Sequence, residues 1–319
     1  MRVSFTVSSF WLQPPDLRPT RQRTIITPRM TEGRNNGGLR HAFSVDVEDW
    51  YHDGQLPVGD GVQGRVEANT IRLLDLLVQH GATGTFFFLG EVAEHYPSLV
   101  RRVADNGHEI GSHGYQHRRL SEITWREFRD DVRRSRRLLE DLTGLPVRGY
   151  RAPYFSIKAD VRWPIEILAE VGLEYDSSIL AIDRPPGLEL VCPRSPYRHH
   201  NGLWEAPVAV LQMLTFWHLP LASGAGLRMV PPRLLHRCMN RFERDVGSGV
   251  FYVHPWELDP ESPSAAGLGR LLLRVGRRRL PERLNGLLQR RSFGRIDEVF
   301  PQLNSMHEKK ALSTSLNDA

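Results

Sequence analysis

Three carboxylates, Asp46, Glu48 and Asp49, fall within one short stretch, Ser-Val-Asp-Val-Glu-Asp-Trp. Like charges this close repel, which favours a bound cation or a carboxyl of raised pKa; a solvated acidic turn is the plain alternative. His113 and His117 stand four apart in His-Gly-Tyr-Gln-His. That spacing can set two imidazoles on one metal, from a helix face or across a tight loop, and neutral imidazole suits zinc and other late divalent ions. In a chain with 13 histidines such a pair also arises by chance, so its position has to decide. Arg151, in Arg-Ala-Pro-Tyr, can clamp a carboxylate through two parallel hydrogen bonds, or can be a surface arginine beside a proline turn. His254, in Val-His-Pro-Trp-Glu, suits general acid catalysis near neutral pH, or is a satisfied core histidine.

The hydrophobic pattern predicts the elements that must position these groups. Strands are expected at 41–47, 82–89, 108–112, near 148–150, near 173–176, near 203–206 and at 250–254. Helices are expected at 66–80, 91–106 with Gly107 as its end, 125–142 stopped by Gly144 and Pro146, 165–171 and 232–246. Strands alternating with helices imply βαβ units and a parallel sheet, and repeated right-handed crossovers over about seven strands close into a barrel. The expected fold class is therefore α/β, a (β/α) barrel in a single domain. Working residues in such folds gather at strand C-termini and in the loops that follow. All four groups end or directly follow a predicted strand.

In that order the four groups strongly resemble the polysaccharide deacetylase family, the NodB-like group of carbohydrate esterase family 4, over about residues 43–256. The details Ser-Val-Asp-Val-Glu-Asp-Trp and His-Pro-Trp-Glu look most like the exosortase-associated branch linked to bacterial exopolysaccharide synthesis. The resemblance implies a distorted (β/α) barrel and metal-dependent removal of N-acetyl groups from amino sugars of a bacterial polysaccharide. It implies Asp46 as general base, His113 and His117 as metal ligands, and Arg151 as the group that orients Asp46. Tyr154 would lie beside the acetyl pocket with its backbone N–H toward the oxyanion, and His254 would protonate the departing amine. Glu48 occupies the third-ligand position in the spaced form of the first motif, with Asp49 as its rival. The family's acidic residue that tunes the acid histidine is matched by Asp176 or Glu205, either of which can instead cap a turn. Trp50, Tyr51, Tyr154 and Trp256 flank these positions and can stack on sugar faces or pack in the core. The cofactor implied is a divalent metal, zinc first, which lowers the pKa of bound water from about 15.7 toward about 7. The partner implied is an N-acetylated oligo- or polysaccharide.

Composition narrows the remaining classes. The chain has 319 residues, 40% hydrophobic and 25% charged, with a net charge of +5. That balance suits a soluble globular protein and does not indicate a nucleic-acid binder. No run of about 18 apolar residues predicts a transmembrane segment, and peripheral membrane contact is left to a basic, leucine-bearing stretch at 267–295. There, Leu271, Leu272, Leu280, Leu284, Leu287 and Leu288 are expected to pack on the barrel with arginines outward, Pro281 breaking the helix. Cys192 and Cys238 fit no metal or redox spacing and are expected to be unpaired. Residues 1–40 are expected to be a disordered leader, or to contain a mis-assigned start with translation beginning at Met30, and 41–260 to form the deacetylase domain. A basic helical extension at 261–305 and a disordered tail at 306–319 complete the expected organisation. The location expected is cytoplasmic, with the envelope as the alternative. A hydrolase of a small-molecule amide would keep the same residues. A non-catalytic glycan-binding barrel would not need Asp46, His113, His117, Arg151 and His254 together.

Overall fold

Arg40–Val47 (β1) is buried along all but its first residue, as a central parallel strand must be when both faces are covered. Strand alternation splits it: Phe43, Val45 and Val47 join one apolar cluster, Ala42 another. The first cluster lies between sheet and helices, and the second fills the barrel interior. The structure, a computed structural model, describes residues 39–52, 64–158, 161–180, 193–214, 217–219, 222–259 and 275–304.

The remaining strands are Thr85–Phe88 (β2), Glu109–Ser112 (β3), Gly149–Tyr150 (β4), Tyr175–Asp176 (β5), Tyr197–Arg198 (β6), Trp204–Glu205 (β7), Leu211–Leu214 (β8), Trp217–Leu219 (β9), Val250–Val253 (β10) and Ser292–Gly294 (β11). The main sheet runs β10-β1-β2-β3-β4-β5-β7-β6, with β11 also on β1, while β8 and β9 form a separate pair. Its pairings are parallel except β6 with β7. Val208 makes parallel bridges to both Leu180 and Val250, joining the far end of the sheet back to β10. The result is the predicted distorted (β/α) barrel in one domain.

Helices Val66–Gln79 (α1), Gly90–His95 (α2), Pro97–Asp105 (α3), Trp125–Thr143 (α4) and Trp163–Val171 (α5) cover the first half of the sheet. Gly224–Met229 (α6), Pro232–Asp245 (α7), Leu280–Arg290 (α8) and Ile296–Val299 (α9) follow. α4 begins in a capping box at Thr124 and Glu127 and, as expected, stops at Gly144, which is left-handed. The single helix expected at 91–106 is instead two, because Pro97 takes the first position of α3 and cannot continue α2. Pro281 likewise opens α8 rather than breaking it, since the first turn needs no N–H from that residue. Leu280, Leu284, Leu287 and Leu288 are buried as expected, whereas Leu271, Leu272 and Cys192 lie outside the described residues. Strand β11 and the residues after it were not anticipated. Ile296, Phe300 and Leu303 join the interior cluster with Phe87, Tyr175 and Val250, so this segment plugs the barrel. Cys238 is a free thiol, and no helix among the described residues is long and apolar enough to cross a membrane.

Asp176 and Glu205, side by side on β5 and β7, are fully buried. Glu205 accepts the Ile179 N–H at 3.0 Å, and Asp176 accepts the Ser178 hydroxyl at 2.5 Å. Burial pushes Glu205 up to about 8, and burial plus the charge of Glu205 pushes Asp176 up as well. The folded protein therefore keeps the proton on Glu205 to a higher pH than the unfolded chain, which releases it near 4.5. This group's contribution to stability is full below that value and is lost as pH rises toward about 8. Glu205→Gln removes the titration, so its melting temperature should gain on wild type between about pH 5 and about pH 9. A constant difference across that range would refute the assignment.

Candidate active site

Strand parity sorts the three carboxylates. Asp46 and Glu48, two apart, face the barrel interior, and Asp49 faces away. Arg151, directly after β4, is fully buried and donates from Nη1 to Asp46 Oδ1 and to Ser44 Oγ, each at 2.8 Å. Its Nε donates to the Ser177 carbonyl at 2.9 Å and Nη2 to Ser177 Oγ at 2.8 Å, while its guanidinium lies over the Phe87 ring. The clamp on Asp46 is thus through one nitrogen, the others being spent on β5's continuation. Asp49 is not brought to the site. Its Oδ2 accepts the backbone N–H groups of Arg65 and Val66 at 2.7 and 2.9 Å, capping α1 from the β1 loop. The expectation of Asp49 as a ligand is corrected on that ground.

His113 and His117 lie in the loop after β3, the tight-loop alternative of the two. Gly114 turns this loop at φ +77°, a conformation suited to glycine. Asp131, from α4, holds it by accepting the N–H groups of Tyr115 and Gln116 at 2.6 and 3.1 Å. His113 Nδ1 donates to the Arg151 carbonyl at 2.8 Å, and His117 Nδ1 donates to the His52 carbonyl at 2.7 Å. Carbonyls only accept, so both neutral rings carry their proton on Nδ1 and turn an Nε2 lone pair inward. Those lone pairs meet Glu48 Oε2 at 3.7 Å for His113 and 2.7 Å for His117. Oε2 is buried without a hydrogen-bond donor, and the three ligand atoms lie within 4.8 Å of one another. Three converging lone pairs, two imidazole and one carboxylate, fit a divalent cation of zinc type. Burial acts to raise the Glu48 carboxyl, but the imidazoles of His117 and His113 outweigh it and hold it well below the usual range.

Across the pocket, His254 follows β10. Glu257 Oε2 accepts the His254 backbone N–H at 3.0 Å and faces its Nδ1 at 3.3 Å, and Glu257 Oε1 pairs with Arg228 Nε at 3.1 Å. His254 Nε2 looks inward, 3.6 Å from Glu48 Oε1 and 3.9 Å from Asp46 Oδ2. Burial opposes charge on this ring, but Glu257, Glu48 and Asp46 together push it up to about 9. The acidic partner of His254 is therefore Glu257, not Asp176 or Glu205, which pair with each other below the site. The signal was present in His254-Pro-Trp-Glu257, where an acid three residues on folds back over a helix start. Gly224 makes room for it, because a Cβ there would sit 1.8 Å from Glu257 Oε2.

A pocket of about 320 Å³ joins these groups, with Tyr154, Trp256, Tyr252 and Arg119 among its walls. Tyr154 donates its hydroxyl to the His52 carbonyl at 3.0 Å and sits at φ +57°, followed by Phe155 at +50°. Two successive non-glycine residues in the left-handed region cost energy that the surrounding structure has to hold. Trp256 stacks on His254 and donates to Glu48 Oε1 at 3.4 Å. Trp50 is not a wall of this pocket; it packs edge-on against Tyr51, which corrects its expected place on the substrate side. Arg228, Tyr252 and Arg119 were not singled out in the sequence, where nothing in their immediate neighbours marks them.

The fold and site together define a curled α/β barrel whose strand C-termini carry two histidines and a carboxylate that could hold a metal ion. The polysaccharide deacetylase profile matches residues 55–175, and a domain of unknown function (DUF3473) matches 177–301. Residues 55–175 therefore carry a polysaccharide deacetylase domain. It is 38% identical over 98 residues to a peptidoglycan-N-acetylglucosamine deacetylase of Bacillus cereus, 30% of this chain and 36% of that one. It is 30% identical over 105 residues to a chitooligosaccharide deacetylase of Azorhizobium caulinodans, 33% of this chain and 49% of that one. The matched stretches span less than half the length of these curated relatives. A solved Mycobacterium smegmatis protein assigned to the polysaccharide deacetylases shares the fold at TM-score 0.56 and 24% identity, over 84% of this chain and 91% of that one.

Two substitutions separate the neighbouring carboxylates. Glu48→Ala should abolish stoichiometric zinc binding measured by calorimetry, as should His117→Ala. Asp49→Ala should retain zinc but lose roughly 1–2 kcal/mol of stability with its cap on α1. Zinc lost in Asp49→Ala and kept in Glu48→Ala would reverse the assignment.

Proposed function

We propose that this protein is a metal-dependent hydrolase that removes N-acetyl groups from amino sugars of a bacterial polysaccharide, in exopolysaccharide synthesis or modification. The observation that carries this is the meeting, in one pocket, of the Glu48–His113–His117 cluster with Asp46 on one side and His254 on another. Similarity to relatives named for N-acetylglucosamine and chitooligosaccharide supports the substrate class.

Glu48, His113 and His117 would hold a divalent ion of zinc type, which when bound supplies an acidified water and a polarised acyl oxygen. The chain's own residues do the rest. Asp46, fixed through Oδ1 by Arg151, has Oδ2 available to take a proton from the attacking water. As water adds to the acyl carbon, the backbone N–H of Tyr154 would receive the developing oxyanion, the role the family resemblance implies for it. His254 Nε2 then gives a proton to the amide nitrogen, the C–N bond breaks, and acetate and a free amino sugar leave. Glu257 fixes the His254 ring through Nδ1, and Tyr154 and Trp256 offer aromatic faces to the sugar.

The test is acetate release from N-acetylated chitooligosaccharides by the zinc-loaded full chain. Asp46→Asn and His254→Ala should each reduce turnover by roughly a hundredfold or more, the usual scale for a general acid or base. Gly224→Ala, which displaces Glu257, should lower kcat with zinc still bound. Zinc-loaded protein that releases no acetate from any N-acetylated glycan would sink the proposal.

A further inference from the structure

A second cavity, of about 560 Å³, adjoins the first and is walled mainly by arginines: Arg228, Arg277, Arg278, Arg279 and Arg283. We propose that it is a subsite for a carboxylate-bearing sugar, so that the polysaccharide deacetylated by this chain is an acidic one. The inference rests on the deacetylase reading for the sugar in the first pocket and adds what its neighbour in the polymer must carry.

Two residues tie the cavities together. Arg228 lines both, and Trp256 stacks on His254 while Arg277 lies over its ring at 4.7 Å. A glycan seated at His254 therefore has this arginine-lined cavity next along the surface. Three of the five side chains are also held in place. Arg283 Nη1 donates to the carbonyls of Leu227, Arg228 and Val230 at 2.7, 2.7 and 2.9 Å, at the end of α6. Arg277 is buried, and Arg228 is anchored on Glu257. Among the described residues no carboxylate forms an ion pair with Arg278, Arg279 or Arg283. Burial first, and then the charge of Arg279, act to lower Arg283 from its ordinary value, with the charge of neighbouring Glu282 opposing them. Planar guanidinium forks suit a carboxylate, which can accept two parallel bonds from each. An anion there would relieve the crowding.

The experiment is calorimetric binding to the full zinc-loaded chain. The probes are an oligosaccharide alternating N-acetylglucosamine with glucuronate and the same oligosaccharide after reduction of its carboxyls to alcohols. The acidic form should bind about tenfold tighter or more, the scale of a charge-assisted contact. In Arg278→Ala/Arg279→Ala, two exposed positions, that preference should fall toward one while the thermal melt stays unchanged. Equal binding of the two forms, binding of neither, or a preference that survives the double substitution would overturn the subsite. So would capture by phosphatidylglycerol vesicles that the double variant loses, with no preference between the sugars, since that assigns the arginines to a membrane surface. Acetate release from a neutral chitooligosaccharide is read separately. Its absence there and from both probes, with the preference intact, removes the deacetylase reading, and its presence without the preference removes only the subsite.

Discussion

The working end of this barrel depends on one buried ion pair, Arg151 with Asp46. Arg151 is fully buried, and stripping water from a guanidinium and a carboxylate costs several kcal/mol for each ion. The fold meets that cost with partners from three strands of the sheet. Ser44 and Asp46 come from β1, Phe87 from β2, and Ser177 from the end of β5. Losing either charge would strand the other in a low-dielectric interior, where an unpartnered ion costs about 3–5 kcal/mol. The pair therefore fixes where the strand ends stand relative to one another. It also fixes His113, since the Arg151 carbonyl receives that ring's Nδ1 proton.

From this pair outward, charges alternate in sign across the pocket. Arg151 holds Asp46; Asp46 and Glu48 face His254; His254 rests on Glu257; and Glu257 is balanced by Arg228. In a dry site each charge raises the cost of removing its neighbour. The alternation gives Glu48 two imidazole partners on one side and the edge of Trp256 on the other. It also explains why Gly224 carries no side chain, since the Glu257 carboxylate occupies that space.

The two profile-matched segments are halves of one site. His113, His117 and Arg151 fall in 55–175, whereas Arg228, His254 and Glu257 fall in 177–301. Asp46 and Glu48 precede both. Neither half by itself holds the groups of the proposed reaction, Asp46, His254 and the Glu48–His113–His117 cluster. The second half also supplies β10 beside β1 and the plug of Ile296, Phe300 and Leu303 inside the barrel. Its contribution is thus both to the acid side of the proposed chemistry and to the closure of the barrel around buried Arg151.

Sequence alone determined the alternation of strands and helices, and hence the barrel, because hydrophobic periodicity is a local property read over a few residues. It also brought forward Asp46, His113, His117, Arg151 and His254, because each sits where a predicted strand ends. Period-two parity in Asp-Val-Glu-Asp already separated Glu48 from Asp49 in principle. Only the fold showed that Asp49 is spent on the α1 amides. What tertiary structure decided was partnership between residues distant in the chain. Glu257 over Asp176 and Glu205, Arg228 behind Glu257, and Asp131 under the histidine loop all depend on which strands and helices lie side by side. The split at Pro97, the helix start at Pro281 and the pairing of β11 with β1 belong with them. A proline's effect depends on which turn of a helix receives it, and a three-residue strand forms only because β1 offers an edge for it to join.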